Sequence, residues 1–367
     1  MFNVVIIGAG ITGATLAERL AAIGKKVLII EKRNHIGGNC FDYYDGSGIL
    51  VPKYGPHFFH TDNERVWNYV GRFTDWHPYE HRVLAYVDKK FVPVPVNINT
   101  VNLVCGENIK NELEMKIWLK NNAEKITSPT NSEELALSRV GKKLYEKIFK
   151  GYTEKQWDKK AKDLSPSVIG RIPVKTNFDD RYFSDRYQAM PKDGYTTIFK
   201  NMLKSKNIVV RLKTDFLKIR NRIKKHQLFI FTGPIDRYFG YRFGPLEYRS
   251  LKFRYQTLDK EFYQSKAQIN YPNDNKFTRI TEPKHSTGQK SPITTIIREY
   301  PVWGNTPYYP VPSEKNHKIY REYEKEALRL EEKGIYFAGR LANYKYFNMD
   351  QAFKNALDLF DKINKKI

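Results

Sequence analysis

Val4-Val5-Ile6-Ile7, then Gly8-Ala9-Gly10-Ile11-Thr12-Gly13, then an amphipathic run to Gly24, then Val27-Leu28-Ile29-Ile30-Glu31: this opening stretch decides the fold. Its order is strand, glycine turn, helix, strand, with an acid closing the second strand. Gly8 permits the tight turn, Gly10 lets the backbone approach a pyrophosphate, and Gly13 lets helix and strand pack closely. The helix N-terminus turns unpaired N–H groups and its positive dipole end toward phosphates. Glu31, eighteen residues past Gly13, stands where a carboxylate can accept hydrogen bonds from an adenosine ribose. A lone GxGxxG fits many βαβ units. Flanked by two strands, with the acid in place, it points to a dinucleotide site.

The rest of the 367-residue chain is long enough for two or three structural units around more than one core. A content of 41% hydrophobic and 14% aromatic residues is a folding composition, not a disordered one. Met1-Phe2-Asn3 has no basic n-region, and no run approaches the ~20 apolar residues of a membrane span, so a cytoplasmic protein is expected. Two cysteines, Cys40 and Cys105, make neither a disulfide framework nor a metal set. The net charge of +23 is spread along the chain among glutamates. It reads as a solvated basic surface or as attraction for a small anion, and nucleic acid is not expected as a partner.

After Glu31, Lys32-Arg33 leads to Gly37-Gly38-Asn39. Such a sequence is found where a chain wraps back over a flavin's pyrophosphate and ribityl, and a plain glycine turn is the other reading. His57 and His60 stand three apart among aromatics, as packing residues or as the wall of a cofactor pocket. No Cys, third His or second carboxylate follows at ligand spacing, so no metal is expected. Residues 81–98 read as a hairpin whose prolines confine its second strand to an edge or a strand end. From Thr100 to about Lys162 the period turns helical, with Asn131 three residues before Glu134 as a start signal. Tyr152-Thr153-Glu154-Lys155-Gln156-Trp157 closes that block, and the Pro166–Pro173 segment with Arg171 reads as a mobile loop. Strands follow at 208–212 and 228–231, then alternating segments over 247–301 that predict an antiparallel sheet presenting arginines and tyrosines. A helix from Glu314 to Glu332 stops at Gly334. A strand then runs into Gly339-Arg340, ahead of a last helix opened by Asn348-Met349. In flavoproteins of the glutathione-reductase type such a helix faces the flavin and stabilises negative charge on the reduced ring. No second GxGxxG occurs, so no separate NAD(P)H domain is expected.

With both ends and the middle in view, the chain resembles the bacterial UDP-galactopyranose mutase family. The matching stretches include Gly8–Gly13 with Glu31, Gly37-Gly38-Asn39, Tyr54-Gly55-Pro56-His57, His60-Thr61-Asp62-Asn63, Gly151–Trp157, Arg171-Ile172-Pro173-Val174, Thr232-Gly233-Pro234-Ile235-Asp236, Arg298-Glu299-Tyr300-Pro301, Tyr308-Tyr309-Pro310 and Gly339-Arg340-Leu341. The resemblance implies an α/β protein: a discontinuous Rossmann-like FAD-binding domain with an inserted helical subdomain and an antiparallel β-sheet domain. On it, residues 1–78, 191–245 and 314–367 form the FAD domain and 100–165 the helical subdomain. Residues 79–99, 166–190 and 246–313 form the sheet and substrate domain, with a mobile loop near 158–173.

It also implies a chemistry. N5 of reduced FAD attacks the anomeric carbon of UDP-galactopyranose and expels UDP, the adduct opens and recloses as the furanose, and UDP is recaptured. The result is an isomerisation without net redox change, supplying galactofuranose for cell-surface glycans. The resemblance assigns Arg171 and Arg279 to the diphosphate, with His60 beside them in catalysis. Tyr182, Tyr309, Tyr346 and Asn348 also face the diphosphate and sugar, and Tyr152, Thr153 and Trp157 the uridine. It assigns Gly8, Gly10, Gly13, Glu31, Gly38, Asn39, His57, His60, Arg340 and Met349 to FAD. It further implies an external reductant such as NAD(P)H or a flavin reductase, and a homodimer. UDP-N-acetylgalactosamine is a possible second substrate, and a flavin oxidoreductase of the amine-oxidase type is the rival reading. Three positions depart from the family's pattern: His81 for Asn, Phe231 for Tyr and Asn348 for Asp.

Overall fold

The computed structural model describes residues 2–223, 227–304 and 306–367. Its first sheet has five parallel strands in the order Ile208–Arg211, Val27–Ile30, Val4–Ile7, Leu228–Phe231, Ile335–Phe337. The opening strands read as unbroken apolar runs because both faces are covered. Val4, Ile6, Val27 and Ile29 enter one core with the helix Ile11–Ala22 and the final helix Met349–Asn364. Val5, Ile7, Leu28 and Ile30 enter another, built on Phe216, Phe229 and Phe231. Gly13 makes the close helix–strand approach possible: a Cβ there would lie 2.0 Å from the Gly8 carbonyl oxygen.

A second sheet of seven strands runs Tyr309–Pro310, Tyr248–Leu258, Thr294–Val302, Arg279–Thr281, Gln268–Asn270, Val83–Val87, Lys90–Val94. The hairpin strand bearing Pro93 is at its edge, where a missing N–H is tolerated. The pairings are antiparallel with one exception. Gln268–Asn270 runs parallel to Val83–Ala85, which the long excursion between them permits because no tight turn is needed.

The helical block grows out of this hairpin. Helices Ile98–Cys105, Glu112–Asn122 and Ser132–Leu144 begin on asparagines 97, 111 and 131, each accepting a hydrogen bond from a first-turn N–H. Val140, Leu144 and Ile148 share a core with Val83, Val92 and Trp157. The segment from Pro166 to Pro173, expected as a loop, contains a helical turn over Ser167–Gly170. Val168 and Ile169 are buried there, and Arg139 donates from Nη1 to the Ile172 carbonyl at 2.9 Å. The final helix starts at Met349 behind a capping box formed by Asn348 and Gln351.

Candidate functional site

Two cavities meet at the carboxyl ends of the first sheet's strands, and His57, Arg340, Asn348 and Met349 line both. The smaller, about 240 Å³, runs past Gly8, Gly10, Glu31, Gly38 and Asn39. Gly13 does not face it and acts through packing instead. Glu31 is buried, and both its oxygens are already engaged. Oε2 accepts from the Ala9 N–H at 2.8 Å, and Oε1 from the Arg33 N–H at 2.8 Å. The carboxylate thus braces the glycine turn, and each oxygen keeps a lone pair for a ribose hydroxyl. Gly38 lies against Gly10 so closely that a Cβ would fall 2.8 Å from its Cα. This cradle of bare backbone, the unobstructed N-terminus of the first helix and the capped start of the last one suit a long dinucleotide such as FAD.

The larger cavity, about 590 Å³, is lined by His60, Tyr152, Thr153, Trp157, Arg171, Tyr182, Arg279, Tyr309, Tyr346 and Asn348. Residues as far apart in sequence as His60 and Asn348 are therefore brought to one cavity. Burial would raise the Tyr346 phenol, yet Arg171, Arg340 and Arg279 together pull it below its ordinary value. The ring of Tyr346 stacks on Tyr309 at 5.6 Å, and Trp157 lies tilted against Tyr309 at 6.3 Å. Arg279 donates to the Tyr152 hydroxyl and lies 3.4 Å from Glu299. Burial pushes the Glu299 carboxyl up while Arg279 pulls it down, with the net shift upward. Of the three guanidiniums, only that of Arg279 has a carboxylate within ion-pair distance among the described residues. Positive charge without a full set of counter-charges, ringed by phenols, is a place for an anion such as a diphosphate.

Histidines divide the cavity's other wall. Burial, and then Arg340, push the His57 imidazole down to about 4, so it is neutral near pH 7. Its Nδ1 is 3.0 Å from the Gly55 carbonyl, which leaves Nε2 as an acceptor toward the cavities. His81 is buried and pushed well below its ordinary value, stacked on Phe58 at 3.6 Å and bonded to the Tyr79 hydroxyl at 3.1 Å. His60 stacks on Phe183 and pairs with Asp185.

Several side chains that organise this wall carry no signal in the sequence. Lys155 reaches four carbonyls of one turn, those of Tyr271, Asn273, Asn275 and Phe277, just before Arg279. Arg249 is buried and donates to the carbonyls of Lys155 and Gln156, at the last turn of the helix Gly151–Trp157. Glu299 and Asp185 pair with partners 20 and 125 positions away. The pairing of Phe58 with His81 is equally hidden. Among the described residues no group of three or more His, Cys, Asp or Glu could hold a metal ion, and no helix is long and apolar enough to cross a membrane.

Known proteins resemble the chain along its whole length. The family model for UDP-galactopyranose mutase matches residues 147–346, and that for an NAD(P)-binding Rossmann-like domain matches residues 6–73. The dTDP-fucopyranose mutase of Escherichia coli is 38% identical over the full length of both chains. A probable UDP-galactopyranose mutase of Klebsiella pneumoniae is 37% identical, over 98% of this chain and 94% of its own. Among solved structures, a reduced UDP-galactopyranose mutase superposes with a TM-score of 0.79 at 17% identity, over 100% of this chain and 96% of its own, which speaks for the fold.

Proposed function

The chain belongs to the UDP-galactopyranose mutase family, and is a flavin-dependent isomerase; we propose that it interconverts UDP-galactopyranose and UDP-galactofuranose on reduced FAD. The observation that carries this reading is the convergence of Arg171, Arg279 and Arg340 on Tyr346, with a carboxylate beside only one of them among the described residues. An amine-oxidase-like enzyme would call for an apolar channel instead. Reduced FAD supplies a nucleophilic N5 for the anomeric carbon, so the flavin serves an isomerisation with no net redox change.

The protein's own part is positioning and charge. Arg171 and Arg279 hold the diphosphate, so the departing nucleotide stays within reach and returns to the rearranged sugar. Tyr182, Tyr309 and Tyr346 add hydroxyl donors, and Tyr152, Thr153 and Trp157 take the base. The glycine cradle with Glu31, Asn39, His57, Arg340 and Met349 holds FAD. Arg340 and the positive end of the final helix favour an anionic reduced ring. The enzyme draws its electrons from an external reductant such as NAD(P)H or a flavin reductase, and works as a cytoplasmic homodimer.

A second reading of the sugar nucleotide has its own support. The Escherichia coli relative named for dTDP-fucopyranose aligns over the whole chain, and the departures at His81 and Asn348 both fall on residues lining the larger cavity. One experiment tests both readings. Dithionite-reduced holoenzyme is offered UDP-galactose, UDP-N-acetylgalactosamine and dTDP-fucose side by side, with oxidised enzyme as control. Turnover of UDP-galactose only after reduction is the expected result. Faster turnover of dTDP-fucose would move the assignment to that substrate, and equal rates in both redox states would exclude a nucleophilic flavin.

A further inference from the structure

His60 lies in the short strand Phe59–Thr61, and its ring is clamped on two sides. Phe183 stacks on it at 3.6 Å with the planes 10° apart, and Nδ1 is 2.9 Å from Oδ2 of Asp185. The loop bearing both partners is tied down in turn. Gln188 donates from Nε2 to the carbonyls of Phe183 at 3.3 Å and Asp185 at 3.0 Å. Burial pushes the Asp185 carboxyl up, but the hydrogen bond and charge of His60 outweigh it and leave the carboxyl below its ordinary value. An ionised carboxylate only accepts, so Nδ1 carries the proton and Nε2 the lone pair. Nε2 has no hydrogen-bond partner among the described residues, and the ring lines the larger cavity.

We propose that Asp185 is a positioning residue that fixes this tautomer, and that Nε2 of His60 carries the proton that ring contraction moves. The proposal rests on the reading of the reaction as a pyranose–furanose exchange. When the pyranose opens, the C1–O5 bond breaks and the former ring oxygen takes up a proton. When the furanose closes, the O4 hydroxyl forms its bond to C1 and releases one. The neutral Nε2 takes the proton that the nucleophilic nitrogen gives up on bonding to C1 and passes it, as an imidazolium, to the first oxygen. It then takes the proton of the second and returns it to that nitrogen when the sugar leaves. No proton is consumed and no electrons are gained or lost. Asp185 stabilises the imidazolium without itself taking the proton.

Asp350, in the first turn of the final helix, and His81 also lie within electrostatic reach of His60. Asp350 accepts from the Thr61 hydroxyl at 3.2 Å, next in sequence to His60. Asp185, Asp350 and His81 are thus titratable groups that face its ring.

The test uses full-length FAD-loaded protein with nitrogen-15 in its histidine rings, beside Asp185→Asn and His60→Gln. Nitrogen NMR of the native protein is expected to show His60 as the Nδ1–H tautomer, assigned by the signals missing from His60→Gln. Asp185→Asn keeps an acceptor but removes the charge, so the imidazolium is held less well. Its turnover when reduced is expected to fall on the order of 100-fold. The pH–rate profile should move to lower pH, while flavin content and UDP affinity stay native. An Nε2–H tautomer in the native protein overturns the proposal, as does an Asp185→Asn variant with native turnover and pH profile. If reduced wild-type protein turns over no sugar nucleotide, the assigned reaction falls and takes the proton step with it. The tautomer still decides the role of Asp185.

Discussion

The guanidinium of Arg171 sits 4.6 Å from the centroid of the Tyr346 ring. Arg340 approaches the same ring at 5.1 Å, and the attraction of these two cations together with Arg279 outweighs the effect of the phenol's burial. Arg171 reaches this position from the turn Ser167–Gly170, where its Nε donates to the Val168 carbonyl at 3.2 Å. The arrangement holds a planar donor fork on the wall of the larger cavity, against the face of Tyr346.

Removing that fork has a definite expected outcome. Arg171→Ala and Arg279→Ala each lose roughly 100- to 1,000-fold in turnover of the reduced enzyme, the range for a donor aimed at developing negative charge. Flavin stays bound, because neither arginine lines the smaller cavity. Arg171→Lys recovers little, since an ammonium cannot form the bidentate contact. Steady-state kinetics with flavin absorbance on the same samples checks both parts, and native turnover in both alanine variants would remove the diphosphate assignment.

Gly38 offers the corresponding test on the flavin side. Its φ is +57°, and a Cβ would lie 2.8 Å from the Cα of Gly10, so a side chain there meets strain and backbone together. Gly38→Ala should purify as folded protein with little flavin, because the loop must back away from the glycine turn proposed to receive the pyrophosphate. Flavin-to-protein absorbance ratio and circular dichroism distinguish this from general unfolding. A variant that retains native flavin content would show that the cradle yields more easily than the geometry implies.

The parts of this molecule that repeat a local rule are legible in its sequence. The runs Val4–Ile7 and Val27–Ile30 are buried on both faces, and asparagines at 97, 111 and 131 cap helices as their type suggests. The glycines of the first turn are needed where backbone meets backbone, and nothing larger fits at Gly13. What stays hidden is of another kind. Lys155 binds carbonyls, which every residue possesses, so no residue type marks its partners. Asp185 and His60 are 125 positions apart and meet because a three-stranded sheet pairs Phe59–Thr61 with Tyr187–Pro191. Glu31 shows the limit from the other direction. Its place suggests a ribose acceptor, but the fold also uses both oxygens to brace the turn.

His57 makes a prediction about pH. Burial holds its imidazole at about 4 in the folded protein, against an ordinary value near 6.5. A base depressed on folding takes up fewer protons than its unfolded counterpart, so the stability it permits is complete above about 6.5 and is lost as pH falls toward 4. The full difference is roughly 3 kcal/mol by linkage, as an upper figure. Urea denaturation of flavin-free protein at pH 7 and pH 4.5 should show this loss, and His57→Gln should be less sensitive over the same window. Equal sensitivity in the two proteins would assign the acid lability to other groups.

Lys155 links the helix Gly151–Trp157 to the strand Arg279–Thr281, and its removal should be felt at both. Its ammonium reaches the carbonyls of Asn273 at 3.0 Å and Asn275 at 2.9 Å, with those of Tyr271 and Phe277 completing the set. Two residues beyond that turn, Arg279 donates to Tyr152 on the helix that carries Lys155. Lys155→Met keeps most of the stem's packing but leaves those carbonyls without their donor, a destabilisation on the order of 3 kcal/mol. If the lysine also sets the distance between Tyr152 and Arg279, UDP binding should weaken about tenfold, or about 1.4 kcal/mol. Calorimetry with UDP at a temperature where the variant is fully folded separates the two effects. Hydrogen exchange should rise first at residues 271–279, while the remote strands Val4–Ile7 and Val27–Ile30 keep their protection. A variant that is less stable yet binds UDP as tightly as the native protein would reduce Lys155 to a tie for the turn alone. The helix and Arg279 would then be held in register by the Tyr152 contact.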